Sequence, residues 1–451
     1  MPLARRTVLS AGLAAATVLA GCDRPTTASG TPPDPPAPEQ SGSPSPSALV
    51  PSASVSPTPP TGGQVLAAPY SSRLVDTLRR YLVPTPENPK HPGYAGAVVL
   101  VTVNGKVSTH AAVGHALRYG AGPVDLPEKA RVGMRTDSIF DVASITKVFT
   151  TLLALQQVER GRIDLAAPVV RYLPSFDGPG KSAVSVSMLL AHTSGLPVGP
   201  SIPETSALPS VEARRASFLS TPLAAGVAPG SLFRYTSLGL LVLQQILEKI
   251  TGKPLDQLVR SELTGPLGLR DTGFNPLRWL GPADRTARLV ATDARSSRGL
   301  LRGVVHDDIA NRLGGVAGSA GLFTTAADLA VVGQLLLGGG QYRGKRLLAE
   351  ATVGRMLVNV NAGLPAIDDV HPGRSSTHGL GLELNQPWFM GRLASPRTFG
   401  HTGFTGCELV VEPRRRLVLV LLTNRAHPNW SWANPDPTRV AVANVLADAL
   451  P

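Results

Sequence analysis

The chain has 451 residues, long enough for one large domain, undivided or split into two lobes, with a substantial core. Its 43 Lys and Arg against 31 Asp and Glu leave a formal charge of +12 at pH 7. No basic cluster interleaved with aromatics carries that excess, so the charge is diffuse. This argues against nucleic-acid binding and leaves only a weak pull toward acidic polymers, such as anionic lipid or cell-wall polymer.

The first segment, MPLARRTVLSAGLAAATVLAGC, sets Arg5 and Arg6 before an apolar run that ends in Leu19-Ala20-Gly21-Cys22. The run is too short to span a membrane and reads as an export signal over residues 1–21. Leu-Ala-Gly-Cys resembles a bacterial lipobox, which implies cleavage before Cys22 and a diacylglyceryl thioether on its sulfur; the paired arginines leave twin-arginine export open. A soluble protein with an Ala-rich leader is the weaker alternative. The expected location is the extracytoplasmic face of the cell membrane, held by lipid. With Cys22 committed, only Cys407 remains and no intrachain disulfide can form. Residues 22–66 are rich in Pro, Ser, Thr and Gly and cannot bury enough apolar surface to fold. At about 3.1 Å per residue such a tether reaches on the order of 100 Å, and the folded domain is expected over 67–451.

Within that domain the spacing predicts a helix over Tyr70 to Tyr81 and then two strands around Asn104-Gly105, a strong hairpin signal. The stretch FDVASITKVFTTLLALQQVERG (140–161) repeats apolar residues at helical spacing, with Gly161 as a stop, and reads as a buried helix. Helical segments and Pro/Gly-rich loops dominate from about 151 to 330. RTFGHTG, CELVVEP and RRRLVLVLLTN then supply three strand candidates, followed by a helix within Pro437 to Leu450. The fold class is therefore α/β of the α+β type: an antiparallel sheet built from the two terminal portions and flanked by helices, with a mostly helical second lobe. The helix that opens near residue 144 falls at the seam, where ligand sites commonly form.

Ser144 and Lys147 stand three apart at the start of that helix, on one face. Free backbone N–H groups at a helix start suit a developing oxyanion, and a lysine beside a hydroxyl can accept or relay its proton. A capping serine with a snorkelling lysine is the bland alternative. Tyr235 lies in a short loop before an apolar helix and can point its phenol into a cleft. His401-Thr402-Gly403 ends a β-rich segment, where Gly403 allows close backbone approach. Ala317 to Gly321 nearly fits a G-x-S-x-G elbow around Ser319, but no strong hydrophobic strand precedes it. His192 reads as a structural loop residue. His306-Asp307-Asp308 lacks the second cluster that a closed metal site needs, so solvated or loop-bracing roles are expected.

In this order and spacing the motifs resemble the serine β-lactamase and penicillin-binding-protein superfamily, in its class C-like branch of β-lactamases, D-alanyl-D-alanine carboxypeptidases, D-aminopeptidases and carboxylesterases. Ser144-Ile145-Thr146-Lys147 matches the first motif, Tyr235-Thr236-Ser237 the second, and His401-Thr402-Gly403 the third in its histidine form. YLPSFDGPG (172–180), LLAHTSGLP (189–197) and the stretch 305–340 extend the match over nearly everything after residue 68. The resemblance implies a β-lactamase/transpeptidase-like fold and an acyl-enzyme on Ser144. Lys147 and Tyr235 would form the proton network, and His401 would orient Tyr235 or the substrate. The N–H groups of Ser144 and Phe404 would form an oxyanion hole, with Ser237, Thr402 and Gly403 contacting substrate. No metal and no organic cofactor are implied.

Ser237 stands where the branch usually has asparagine, and a hydroxyl grips a substrate amide less far, so esterase or D-Ala peptidase chemistry is favoured over efficient β-lactamase activity. Gly318-Ser319-Ala320-Gly321 stands where relatives often carry Gly-His-Ala-Gly. The expected partners are a small-molecule ester or amide, a β-lactam or a peptidoglycan peptide, with the membrane engaged through the lipid. A lipoprotein that binds penicillin or peptidoglycan without turnover is the alternative. Cleft shape is expected to depend on the loops at 198–232 and 361–396.

Overall fold

The computed structural model describes residues 68–368 and 374–450. The expected signal segment (1–21), tether (22–66) and lipidation residue Cys22 lie outside the described residues.

The elements that place the site run in chain order from helix α1 (Ala68–Arg80) through strands β1 (Gly96–Val103), β2 (Lys106–Leu117), β3 (Val132–Gly133) and β4 (Phe140–Asp141). Helices α2 (Thr146–Glu159), α3 (Val186–Ala191) and α4 (Leu238–Thr251) follow, then β5 (Gly273–Phe274) and β6 (Leu322–Thr324). Helix α5 (Ala326–Leu337), strands β7 (Glu383–Leu384), β8 (Phe399–Thr402), β9 (Glu408–Glu412) and β10 (Leu417–Thr423), and helix α6 (Asp436–Ala449) complete the set.

The main sheet has seven strands in the order β7-β8-β9-β10-β1-β2-β3, antiparallel at each pairing. As the sequence predicts, its two halves come from the two ends of the folded chain: Leu417 pairs with Val103 and Thr423 with Ala97. GAVVLVTV is apolar at nearly every position because both faces of β1 are covered. Ala97, Val99, Val101 and Val103 meet Leu74 and Leu78 of α1 and Val442 and Leu446 of α6 on one side. Val98 and Leu100 join the larger core under α2, α4 and α5 on the other. Gly333 lets α5 lie close on the sheet, since a Cβ there would stand 2.5 Å from a methyl of Val418. Asn104 and Gly105 both take positive φ (52° and 75°), as a two-residue turn between right-twisted strands requires.

Helix α2 is buried from Thr146 through Gln157, so it is covered on all sides rather than amphipathic. The helical lobe also contains a small sheet, β5-β6-β4, that the sequence pattern does not announce. Its strands of two or three residues are too short to display a period of two.

Candidate active site

Ser144 occupies a 3₁₀ turn, Ala143–Ile145, between β4 and α2, so regular helix starts just past it rather than at it. Ala143 takes φ 45°, a left-handed conformation that costs an L residue roughly 1–2 kcal/mol. Asp141 holds it there by accepting the Ala143 N–H at 2.9 Å, and its other oxygen accepts the His306 N–H at 2.7 Å. Burial pushes the Asp141 carboxyl up to about 6, although both N–H bonds pull it back. Thr146 Oγ1 closes the turn by donating to the Ala143 carbonyl at 2.6 Å and accepting the Leu322 N–H at 3.1 Å.

Lys147 is 1% exposed, and its Nζ donates to Ser144 Oγ at 2.8 Å and to the Ser319 carbonyl at 3.1 Å. It does not snorkel: its amino group faces the hydroxyl from inside. Ser319 contributes a carbonyl, while its residue is buried and leads into strand β6 rather than a helix. The elbow reading of Ser319 therefore has no structural support.

Tyr235 brings its ring to 5.0 Å, centroid to atom, from Lys147 Nζ. His192 fixes its backbone: in the left-handed conformation that ends α3 (φ 58°), it accepts the Thr236 N–H on Nδ1 at 3.1 Å and the Arg234 N–H on its carbonyl at 2.9 Å. Its imidazole lies 4.6 Å from the Tyr235 ring, and burial holds its pKa well below the usual histidine range, so it stays neutral. His192 is thus a structural loop residue, as expected, but one that grips both peptide neighbours of Tyr235. Ser237 is half-buried and its N–H donates to the Val198 carbonyl at 2.7 Å.

His401 lies on β8, paired with Leu409, with its ring 6.2 Å from that of Tyr235. Its Nδ1 is 2.8 Å from the Thr402 carbonyl, which can only accept, so Nδ1 carries the hydrogen and Nε2 presents a lone pair. Burial, then the Lys147 charge, hold its pKa well below the usual range, and among the described residues Nε2 has no hydrogen-bond partner. Gly403 presses against the Ser144 turn: a Cβ there would stand 2.3 Å from the Val142 carbonyl oxygen. The Gly403 N–H donates to the Cys407 carbonyl at 2.8 Å, and Phe404 projects from the resulting tight turn. Thr402 is half-buried beside it.

Three further residues brace the site that sequence reasoning did not single out. Arg374 stacks 4.9 Å from the Tyr235 ring and pairs with Asp368 at 2.7 Å and Glu383 at 2.6 Å. Burial works against its charge, but the two carboxylates outweigh it and raise its pKa. Arg439 of α6 donates to the carbonyls of Gly403 at 2.8 Å and Cys407 at 3.0 Å, holding the turn that carries Phe404. His378 packs edge-on to His192 at 5.0 Å. Only the position of Arg374 within the loop at 361–396 pointed to it. Of the two roles open to His306 it takes the loop-bracing one: it is 6% exposed, its N–H donates to Asp141 and its carbonyl accepts from Arg298 at 2.6 Å.

A cavity of about 340 Å³ opens at Ser144 between Phe404, Trp430 and Ile202 on one hand and Arg295, His306 and Asp308 on the other. Among the described residues, no group of three or more His, Cys, Asp or Glu could hold a metal ion. The arrangement can therefore offer a nucleophilic hydroxyl, an amine in contact with it, a phenol near that amine, and a close-packed turn bearing backbone N–H groups.

The sequence model of a family described as Beta-lactamase matches residues 75–444. A protein of Escherichia coli (strain K12), provisionally named a D-alanyl-D-alanine carboxypeptidase, is 32% identical over 363 residues, covering 74% of this chain and 79% of its own. An N-acetylmuramyl-L-alanine amidase of Bacillus subtilis (strain 168) is 33% identical over 363 residues, covering 74% of this chain and 78% of its own. The crystal structure of a penicillin-binding protein homologue from Caulobacter crescentus superposes with a TM-score of 0.63 at 19% identity, over 86% of this chain and all of that one (100%).

Proposed function

Since the chain belongs to the beta-lactamase family of serine hydrolases, we propose that it cleaves an ester or amide by forming an acyl-enzyme on Ser144. The observation that carries this reading is the 2.8 Å hydrogen bond from buried Lys147 Nζ to Ser144 Oγ. In the free enzyme that bond aims the hydroxyl at the cavity. As Ser144 Oγ attacks the carbonyl carbon, its proton passes to the Lys147–Tyr235 pair, and the substrate oxygen takes up negative charge against the N–H groups of Ser144 and Phe404. The carbonyl re-forms as the bond to the leaving group breaks, and that group departs with the proton from Tyr235. Water then enters, loses a proton to the same pair and attacks the acyl carbon; the bond to Ser144 Oγ breaks, and the serine takes that proton back as the acid departs. Neutral His401, its Nε2 lone pair unengaged, orients the phenol or the substrate.

Ester or D-Ala peptide cleavage is favoured over efficient β-lactam turnover, because Ser237 supplies a short hydroxyl in place of an amide. The names of the carboxypeptidase and amidase relatives agree with a wall-peptide amide as one substrate class. The reading includes export and lipid anchoring through Cys22, supported by Leu19-Ala20-Gly21-Cys22 and the basic, apolar run before it.

Purified protein is incubated with p-nitrophenyl butyrate, nitrocefin and a D-Ala-D-Ala peptide, and the peptide bearing Ser144 is weighed by mass spectrometry. Steady turnover and an acyl mass on Ser144, both absent in Ser144→Ala, are expected. A single stoichiometric burst would instead indicate a binder without turnover. Palmitate labelling in cells, lost in Cys22→Ala, checks the anchor; labelling that survives the substitution rejects it.

A further inference from the structure

The cavity beside Ser144 holds one further piece of chemistry, which rests on the acyl-enzyme reading above. Phe404, Trp430 and Ile202 are 46%, 41% and 42% exposed, an apolar group left open to water at the mouth of a catalytic cleft. Phe404 nonetheless packs against its neighbours. Its ring lies 4.3 Å from the guanidinium carbon of buried Arg425 and 5.5 Å from the His306 ring at 30°, with Trp430 5.7 Å away. A ligand that stacks there meets a surface already ordered.

The charged groups around it are committed elsewhere. Arg295 grips Asp293 through Nε at 2.9 Å and a terminal nitrogen at 2.6 Å. Asp308 faces Arg298 at 3.4 Å and Arg312 at 3.3 Å, and Asp307 caps the N–H of Ala310 at 2.7 Å. Burial pulls the His306 pKa down to about 4, so its imidazole is neutral near pH 7. The cavity lining therefore offers a substrate ring faces and methyl groups, and its one cation, Arg295, is already held by Asp293.

We propose that this cavity selects substrates carrying an uncharged, apolar substituent next to the reacting carbonyl, and that it rejects a carboxylate at that position. An anion there would lose its water without gaining an unpaired cation from the lining, and would lie beside the carboxylates of Asp307 and Asp308.

The test compares kcat/KM for p-nitrophenyl acetate, butyrate and hexanoate with the p-nitrophenyl half-ester of glutarate, and for a parallel series of butyrate esters whose alcohol runs from methyl to benzyl. The protein, Trp430→Ala and Ile202→Ser are each assayed, both substituted positions being exposed enough to spare the fold. In one of the two series kcat/KM should rise about fourfold per methylene, and the glutarate half-ester should fall at least about 30-fold below hexanoate if that series is the acyl one. The rise should flatten in both variants. Flat series in both directions, a glutarate rate equal to hexanoate in the face of an acyl-side rise, or an undiminished rise in both variants would overturn the proposal. Turnover that persists in Ser144→Ala, or is absent for every ester, would instead sink the acyl-enzyme reading on which it rests.

Discussion

Replacing Gly403 with alanine tests whether the contact between β8 and the nucleophile turn sets catalysis. The added methyl would stand 2.3 Å from the Val142 carbonyl oxygen and 3.1 Å from its carbon, and both are backbone atoms that no rotamer change can move aside. Restoring ordinary contact at about 3.4 Å requires the two segments to separate by about 1 Å. Those segments carry Ser144 on one side and the Phe404 N–H on the other, so the separation falls on the distance between the proposed nucleophile and the proposed oxyanion donor. A misplacement of that size costs on the order of 100-fold in rate, or about 2.7 kcal/mol of transition-state stabilisation. The expected result for Gly403→Ala is a kcat for p-nitrophenyl butyrate about 100-fold lower, with a cooperative thermal transition retained. The seven-stranded sheet and both cores are otherwise untouched. A variant that keeps its rate within threefold would refute the claim that this contact positions the reacting groups.

His192→Ala should lower kcat by roughly 10-fold or more, because the Thr236 N–H loses its acceptor and Tyr235 its neighbouring ring; His192→Asn, which tolerates the left-handed backbone, should recover some of that rate. Arg374→Met leaves the buried carboxylate of Glu383 without its cation and should cost about 3–5 kcal/mol by denaturant unfolding; no change in midpoint would show that the pair is dispensable. Glu408, on β9, is wholly buried, and burial raises its pKa to about 8 despite Arg439. Its folded value lies above its unfolded one, so its contribution to stability is complete below about 4.5 and is lost as pH rises through 8, at about 1.4 kcal/mol per pH unit. Glu408→Gln should therefore gain stability relative to the parent as pH rises from 5 to 8, and a difference that stays flat with pH would contradict the assignment.

The elements most legible in the sequence are those whose geometry is local. A spacing of three across a helix start fixes the approach of Ser144, in its 3₁₀ turn, to Lys147 wherever the helix lies, and Asn104-Gly105 fixes the hairpin by turn chemistry alone. The placement of Tyr235 and His401 came from the motif resemblance, since no periodicity links position 147 to 235 or 401. Asp141, Arg374 and Arg439 were invisible for a related reason. Each acts through atoms distant in the chain, as when Arg439 reaches the Gly403 carbonyl or Asp141 the His306 N–H, and an isolated charged residue leaves no pattern that foretells burial.

The pairing of β1 with β10 has a bearing on how the molecule is made. Val103 meets Leu417, so a chain emerging from the ribosome holds one central strand of its sheet ready while the complementary strand is still unsynthesised. Until then GAVVLVTV stays an apolar edge without its neighbour, and a chaperone has the whole of that interval in which to engage it.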